Sequence, residues 1–152
     1  MSALGESEVH WERHPRYPGL EAPWVAAEPD GAFVGFLFYY AALFGPEQRR
    51  AVLYAGGTTP NGNATKILWG APGAGAGDEL LLRGSRRGGT GFFESVQPAR
   101  RAGDPEDETR WFPSDVVVPA PGCWDVLLRS GSVVGQATFS VEDASVAPAP
   151  LP

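Results

Sequence analysis

Nowhere in its 152 residues does the chain sustain the 3.6-residue apolar period of an amphipathic helix. Its apolar residues come in short runs at 24–27, 51–55, 65–69, 79–83, 91–96, 116–119, 123–129 and 133–141, separated by clusters of Gly, Pro, Asn, Asp and Ser. A backbone interrupted this often cannot build long helices, whereas strands need only a few residues between turns. The pattern predicts an all-β chain: a single antiparallel β-sandwich of about eight strands with little helix beyond one turn at 46–50.

The longest apolar run, 32–44, is shorter than the roughly 17–25 residues of a spanning helix, so no membrane span is expected. It is aromatic-rich and follows the turn signal Pro29-Asp30-Gly31, which favours a strand. We read it as a central strand with Phe36, Phe38 and Tyr40 on one face and Phe33, Leu37 and Tyr39 on the other, both covered. Near the C-terminus, Asp125 to Asp143 reads as a hairpin about Ser130-Gly131. Its second strand alternates Ala137, Phe139 and Val141 against Thr138, Ser140 and Glu142.

A chain of this length suits one domain that buries roughly 68–70% of its unfolded surface. With 43% hydrophobic and 11% aromatic residues, packing alone can hold it, and the one cysteine forms no internal disulfide. Polar, proline-containing residues 1–19 are expected to be loosely held, residues 20–144 to form the sandwich, and 145–152 to extend as a Pro-rich tail. An acidic and basic stretch, 98–110, reads as an exposed loop.

Charge excludes a class of partner. Eighteen acidic against 12 basic residues give a net charge of −6, without the basic footprint that nucleic acid requires. Of the basic residues only Lys66 is lysine, and with 20 Gly and 15 Pro this reads like a high-GC bacterial genome. The start, Met1-Ser2-Ala3-Leu4-Gly5-Glu6-Ser7-Glu8, carries neither a basic n-region nor an apolar run, so no signal peptide is read there. This fits a cytoplasmic start or a mature region given a new Met.

Cys123 as a nucleophile needs a base, and the only histidines, His10 and His14, lie in the segment expected to be loosely held. Strand alternation sends Cys123 and Trp124 to opposite faces, one of them inward, which makes the stretch a structural corner. A blue-copper set fails because no His follows Cys123 and the only Met is Met1. His10 and His14 have helical zinc spacing, but Pro15 disfavours the helix, leaving surface histidines. In 56–66 the order Thr65-Lys66 is followed by a strand, unlike a phosphate-binding loop. The acids Asp78, Glu79, Glu106, Asp107, Glu108, Asp115 and Asp125 lie in loops or at strand edges, with no two marked as a pair. No catalytic residue, metal ligand or cofactor is expected.

The segment from Pro119 to Val141, with Pro121-Gly122 and an aromatic ahead of Asp125-Val126-Leu127-Leu128, resembles the final hairpin of bacterial immunoglobulin-like domains; Trp124 stands where those domains usually carry a tyrosine. More narrowly, Phe112-Pro113-Ser114 followed by Pro119-Ala120-Pro121-Gly122-Cys123-Trp124 is similar to a pattern in bacterial envelope proteins and lipoproteins, and Thr65 to Trp69 fits it. The resemblance implies an immunoglobulin-like fold and an extracytoplasmic location, in the envelope or secreted, and assigns no catalytic residue.

Two functional classes follow. The first is a non-enzymatic binding or assembly domain at the bacterial cell surface, its partner a protein, a carbohydrate, or a second copy joined by strand addition. Its contact residues are expected among Trp24, Tyr40, Trp69, Arg83, Arg86, Arg87 and Trp111, aromatic and arginine side chains being the usual anchors. The alternative is a hydrolase with a loop-built carboxylate site acting on a polysaccharide.

Overall fold

A computed structural model describes residues 7–100 and 108–144, and among these nine strands form and no helix. They are β1 (Trp24–Ala27), β2 (Phe33–Leu37), β3 (Val52–Tyr54), β4 (Lys66–Ala71), β5 (Glu79–Arg86), β6 (Phe92–Pro98), β7 (Arg110–Asp115), β8 (Gly122–Ser130) and β9 (Val133–Glu142). One sheet has the order β1-β2-β4-β7 and is antiparallel throughout. The other has the order β3-β9-β8-β5-β6, antiparallel except where β3 runs parallel to β9.

Alternation brings the two sheets onto one core. Val25, Phe33, Leu37, Ile67, Trp69 and Phe112 of the four-stranded sheet share a buried cluster with Leu80, Leu82, Trp124, Val126, Leu128 and Phe139 of the five-stranded sheet. The arrangement is that of a sandwich-like all-β fold.

Large rings fit between close strands because glycine lies opposite them. Gly35 pairs with Trp69, Gly70 with Trp111 and Gly84 with Phe93. A Cβ at Gly35 would sit 2.6 Å from the Trp69 ring, and one at Gly84 2.0 Å from the Phe93 ring. Each aromatic therefore lies flat across its glycine, covering backbone that the glycine leaves bare.

The run at 32–44 departs from the expected single strand. β2 ends at Leu37 and the chain turns, with N–H groups of Tyr40 and Leu43 bonded to the carbonyls of Leu37 and Tyr40. Phe38 is left exposed, while Tyr39 and Tyr40 are buried. The reason is polar. The Tyr39 hydroxyl donates to the Val52 carbonyl at 2.7 Å. The Tyr40 hydroxyl accepts the Val52 N–H at 2.8 Å and donates to the Arg50 carbonyl. The pair thus occupies the side of β3 that faces away from β9. Burial raises both phenol pKa values well above the ordinary one.

β2 is central and covered on both faces. Its outer cover comes from the segment ahead of β1: Tyr17, Leu20 and Ala22 pack over Val34, Phe36, Leu68 and Trp111. Within residues 7–19, Val9 is fully buried and its N–H bonds to the Arg49 carbonyl at 2.8 Å. These residues pack on the sheets because apolar side chains lie among the polar ones. Two other departures are local. β7 is centred ahead of the apolar run at 116–119, and 46–50 forms a turn without helix. The final hairpin turns at Gly131-Ser132, with Gly131 at φ +58°. Most of the expected loop at 98–110 and the tail at 145–152 lie outside the described residues.

Tyr40→Phe leaves the buried Val52 N–H without an acceptor, so it is expected to lower stability by about 1–3 kcal/mol in urea unfolding followed by tryptophan fluorescence. A change within error would show that the hydroxyl does not hold this edge.

Candidate functional site

The residues expected to form a contact surface divide among three places. Tyr40 and Trp69 are 0% and 1% exposed and belong to the core. Trp69 points inward, opposite Gly35 on the inner face of β4; its Nε1 is buried with no hydrogen-bond partner among the described residues.

Trp24 and Trp111 both lie on the outer face of the four-stranded sheet, packed against one cluster with Phe36 between them. The His10 ring stacks on Trp24 at 4.3 Å, and His14 meets the same indole edge-on at 4.5 Å. Tyr17 contacts Trp111 at 4.9 Å, and its hydroxyl lies 2.6 Å from Thr109 Oγ1. The Trp24 indole N–H donates to the Glu12 carbonyl at 2.9 Å. Both histidines are thus half-buried packing partners of tryptophan. Desolvation pushes the His14 pKa down, the neighbouring Arg16 and His10 add to it, and the Arg16 backbone N–H donates to Nδ1 at 3.1 Å. Burial and these neighbours therefore favour the neutral imidazole of His14. Among the described residues no group of three His, Cys, Asp or Glu is placed to hold a metal.

The arginines lie on and beside the outer face of the five-stranded sheet. Arg83 pairs with Glu94 on the next strand at 2.9 Å. Arg87 grips Asp125 with two bonds of 2.7 Å, and Thr138 Oγ1 donates to the same carboxylate at 2.9 Å. The Arg87 bonds hold the Asp125 pKa below its ordinary value, against a smaller opposing effect of burial. Arg86 is half-buried at the tip of the β5–β6 hairpin, its stem packed over Gly122 and Gly91. A Cβ at Gly122, where φ is +139°, would come within 2.6 Å of Arg86 Nε.

The same outer face carries apolar side chains that sequence reasoning missed. Phe92, Val96 and Val134 are 59%, 52% and 46% exposed. Register places Val96, Leu81, Arg129 and Val134 in one row across β6, β5, β8 and β9. Alternation in β6 was readable, but which of its faces turned outward was not.

Cys123 is half-buried on this outer face of β8, and Trp124 takes the inward place, fully buried. The Trp124 indole N–H donates to the Ala120 carbonyl at 2.9 Å, tying the ring to the chain entering β8. Both histidines lie beyond the other sheet. Lys66 opens a strand, and the loop before it closes on itself through Thr59 and Asn63 at 2.8 Å. Of the acids, Asp78 bonds Arg110 at 2.7 Å, Asp115 stands opposite Lys66 at the end of β7, and Glu79 and Glu108 are exposed. Glu106 and Asp107 lie outside the described residues. No protein-family model, curated protein or solved structure matches the chain.

Because its folded pKa is depressed, Asp125 stabilises the fold above its ordinary 3.8, and that contribution is lost as pH falls through the lower folded value. Asp125→Asn is expected to cost about 1–2 kcal/mol near neutral pH and to fall less steeply than the unaltered chain on acidification, as read from urea midpoints at about pH 7 and about pH 3. Parallel acid limbs would remove the carboxylate from this role. The depressed His14 pKa has the same sign: its contribution is complete above 6.5 and fades below that. NMR titration of the His14 ring is expected to give a midpoint below 6.5.

Proposed function

We propose that the chain is a non-enzymatic, immunoglobulin-like β-sandwich domain that binds a protein at the bacterial cell envelope. The strand order supports the immunoglobulin-like reading. β2-β4-β7 fits the A-B-E part of one sheet, and β9-β8-β5 fits the G-F-C part of the other. The bond from Trp124 to Ala120, four residues upstream at the entry to β8, fits the corner that a tyrosine makes in such domains. The envelope location rests on the resemblance of Phe112-Pro113-Ser114 and Pro119 to Trp124 to envelope proteins.

The binding reading is carried by one observation: the outer face of the five-stranded sheet holds Phe92, Val96 and Val134 about half exposed among the paired charges of Arg83 and Glu94. Apolar patches broken by arginine suit protein contact, where an apolar centre excludes water and charged groups orient the partner. Purified, fluorescently labelled chain incubated with bacterial cells and isolated cell-wall fractions provides the test. Saturable binding without sugar release, weakened about tenfold or more by Phe92→Glu, is expected. Release of sugars from the wall would overturn the reading in favour of a hydrolase.

A further inference from the structure

Each sheet has two edge strands, and three of the four are hydrogen-bonded on their outer side to other segments of the chain. β1 is bordered by the segment before it, where His10 and Trp24 exchange bonds of 2.8 and 2.9 Å, and Glu28 beyond its end exchanges bonds with Gln136. β3 is closed by the Tyr39 and Tyr40 hydroxyls. β7 is bridged by Arg100, whose N–H donates to the Trp111 carbonyl at 2.7 Å.

Among the described residues none covers β6 in this way. At the two ends of its ladder, the Arg86 N–H donates to Gly91 and the Ala99 N–H to Asp78. Together with the register, these bonds make Gly84/Phe93, Leu82/Ser95 and Leu80/Gln97 the hydrogen-bonded pairs. The backbone groups of Phe92, Glu94 and Val96 therefore point away from the sheet. Phe92 and Val96 are also its most exposed aromatic and aliphatic side chains.

We infer that β6 pairs antiparallel with β6 of a second copy, joining two five-stranded sheets edge to edge about a two-fold axis at Ser95. The inference rests on the assembly side of the binding reading and supplies its geometry. The charges favour a second copy in this register. An axis at Glu94 would set two carboxylates opposite each other, which disfavours pairing. An axis at Ser95 sets Glu94 against the partner's Val96 and Phe92 against the partner's Pro98. Arg83 holds Glu94 back on its own sheet at 2.9 Å, and the small Ser95 meets itself where strands approach most closely. Pro98, lacking an N–H, marks the end of the pairing. An isologous contact of this kind closes on itself and yields a dimer, not a fibre.

Light scattering coupled to size-exclusion chromatography, run over a concentration series, tests this. The mass is expected to rise from one chain to two and stop. Val96→Pro removes an N–H that bonds nothing within the chain's own sheet, so it should keep the far-UV spectrum and weaken dimerisation about tenfold or more. If that variant fails to fold, Val96→Lys, a charge on the edge, is expected to give the same loss. Val134→Lys, on the same face but three strands in, should dimerise as the unaltered chain does. A monomer at every concentration, or equal dissociation by Val134→Lys, would overturn the inference. Cell-wall binding by a monomer would then leave the binding reading standing, and sugar release by a dimer would overturn that reading alone.

Discussion

The backbone of a β-sheet edge carries donors and acceptors that must be bonded or wetted, and this fold is organised around that demand. The Tyr39–Tyr40 pair meets it at β3, a short strand with one neighbouring strand. Two hydroxyls replace a second neighbour, and to deliver them the chain abandons β2 after Leu37. Ending β2 there exposes Phe38, an apolar cost offset by burying two hydrogen-bonded phenols. Closure of β3 in turn steadies β9, its parallel neighbour, and through β9 the hairpin that carries Trp124.

The two outer faces are treated differently. On the four-stranded sheet the chain supplies its own cover, and the aromatic cluster of Trp24, Phe36, Tyr17 and Trp111 with two histidines is a second, smaller core. Residues suited to recognition are thereby spent on packing. On the five-stranded sheet nothing described lies over Phe92, Val96 and Val134, and the charges there are matched within the face. Arg83 and Arg87 are each held by an acid, so they orient and screen more than they attract. This asymmetry directs the functional proposal to one face and one edge.

The candidate contact residues show the limit of residue-type reasoning. Tryptophan and tyrosine are anchors at interfaces and also the largest fillers of cores. Trp69 and Tyr40 went to the core, Trp24 and Trp111 to the satellite cluster. Phe92, Val96 and Val134, not singled out from sequence, are exposed instead. What separated the groups was cross-strand pairing: a glycine opposite Trp69 made room for its ring, and a position on an edge strand left Phe92 with a neighbouring strand on one side only.

The sequence by itself determined the all-β class, most of the strand runs and the inward alternation of the final hairpin, because a two-residue period and turn-forming residues are local properties of the chain. It also determined that either Cys123 or Trp124 would face inward. Only the tertiary structure decided that Trp124 does, that residues 7–22 cover a sheet, that the aromatic run ends in a tyrosine cap, and that β6 is the edge no described residue covers. Those outcomes depend on which strands become neighbours, and neighbours distant in sequence are chosen by the shared core, not by any stretch of the chain alone.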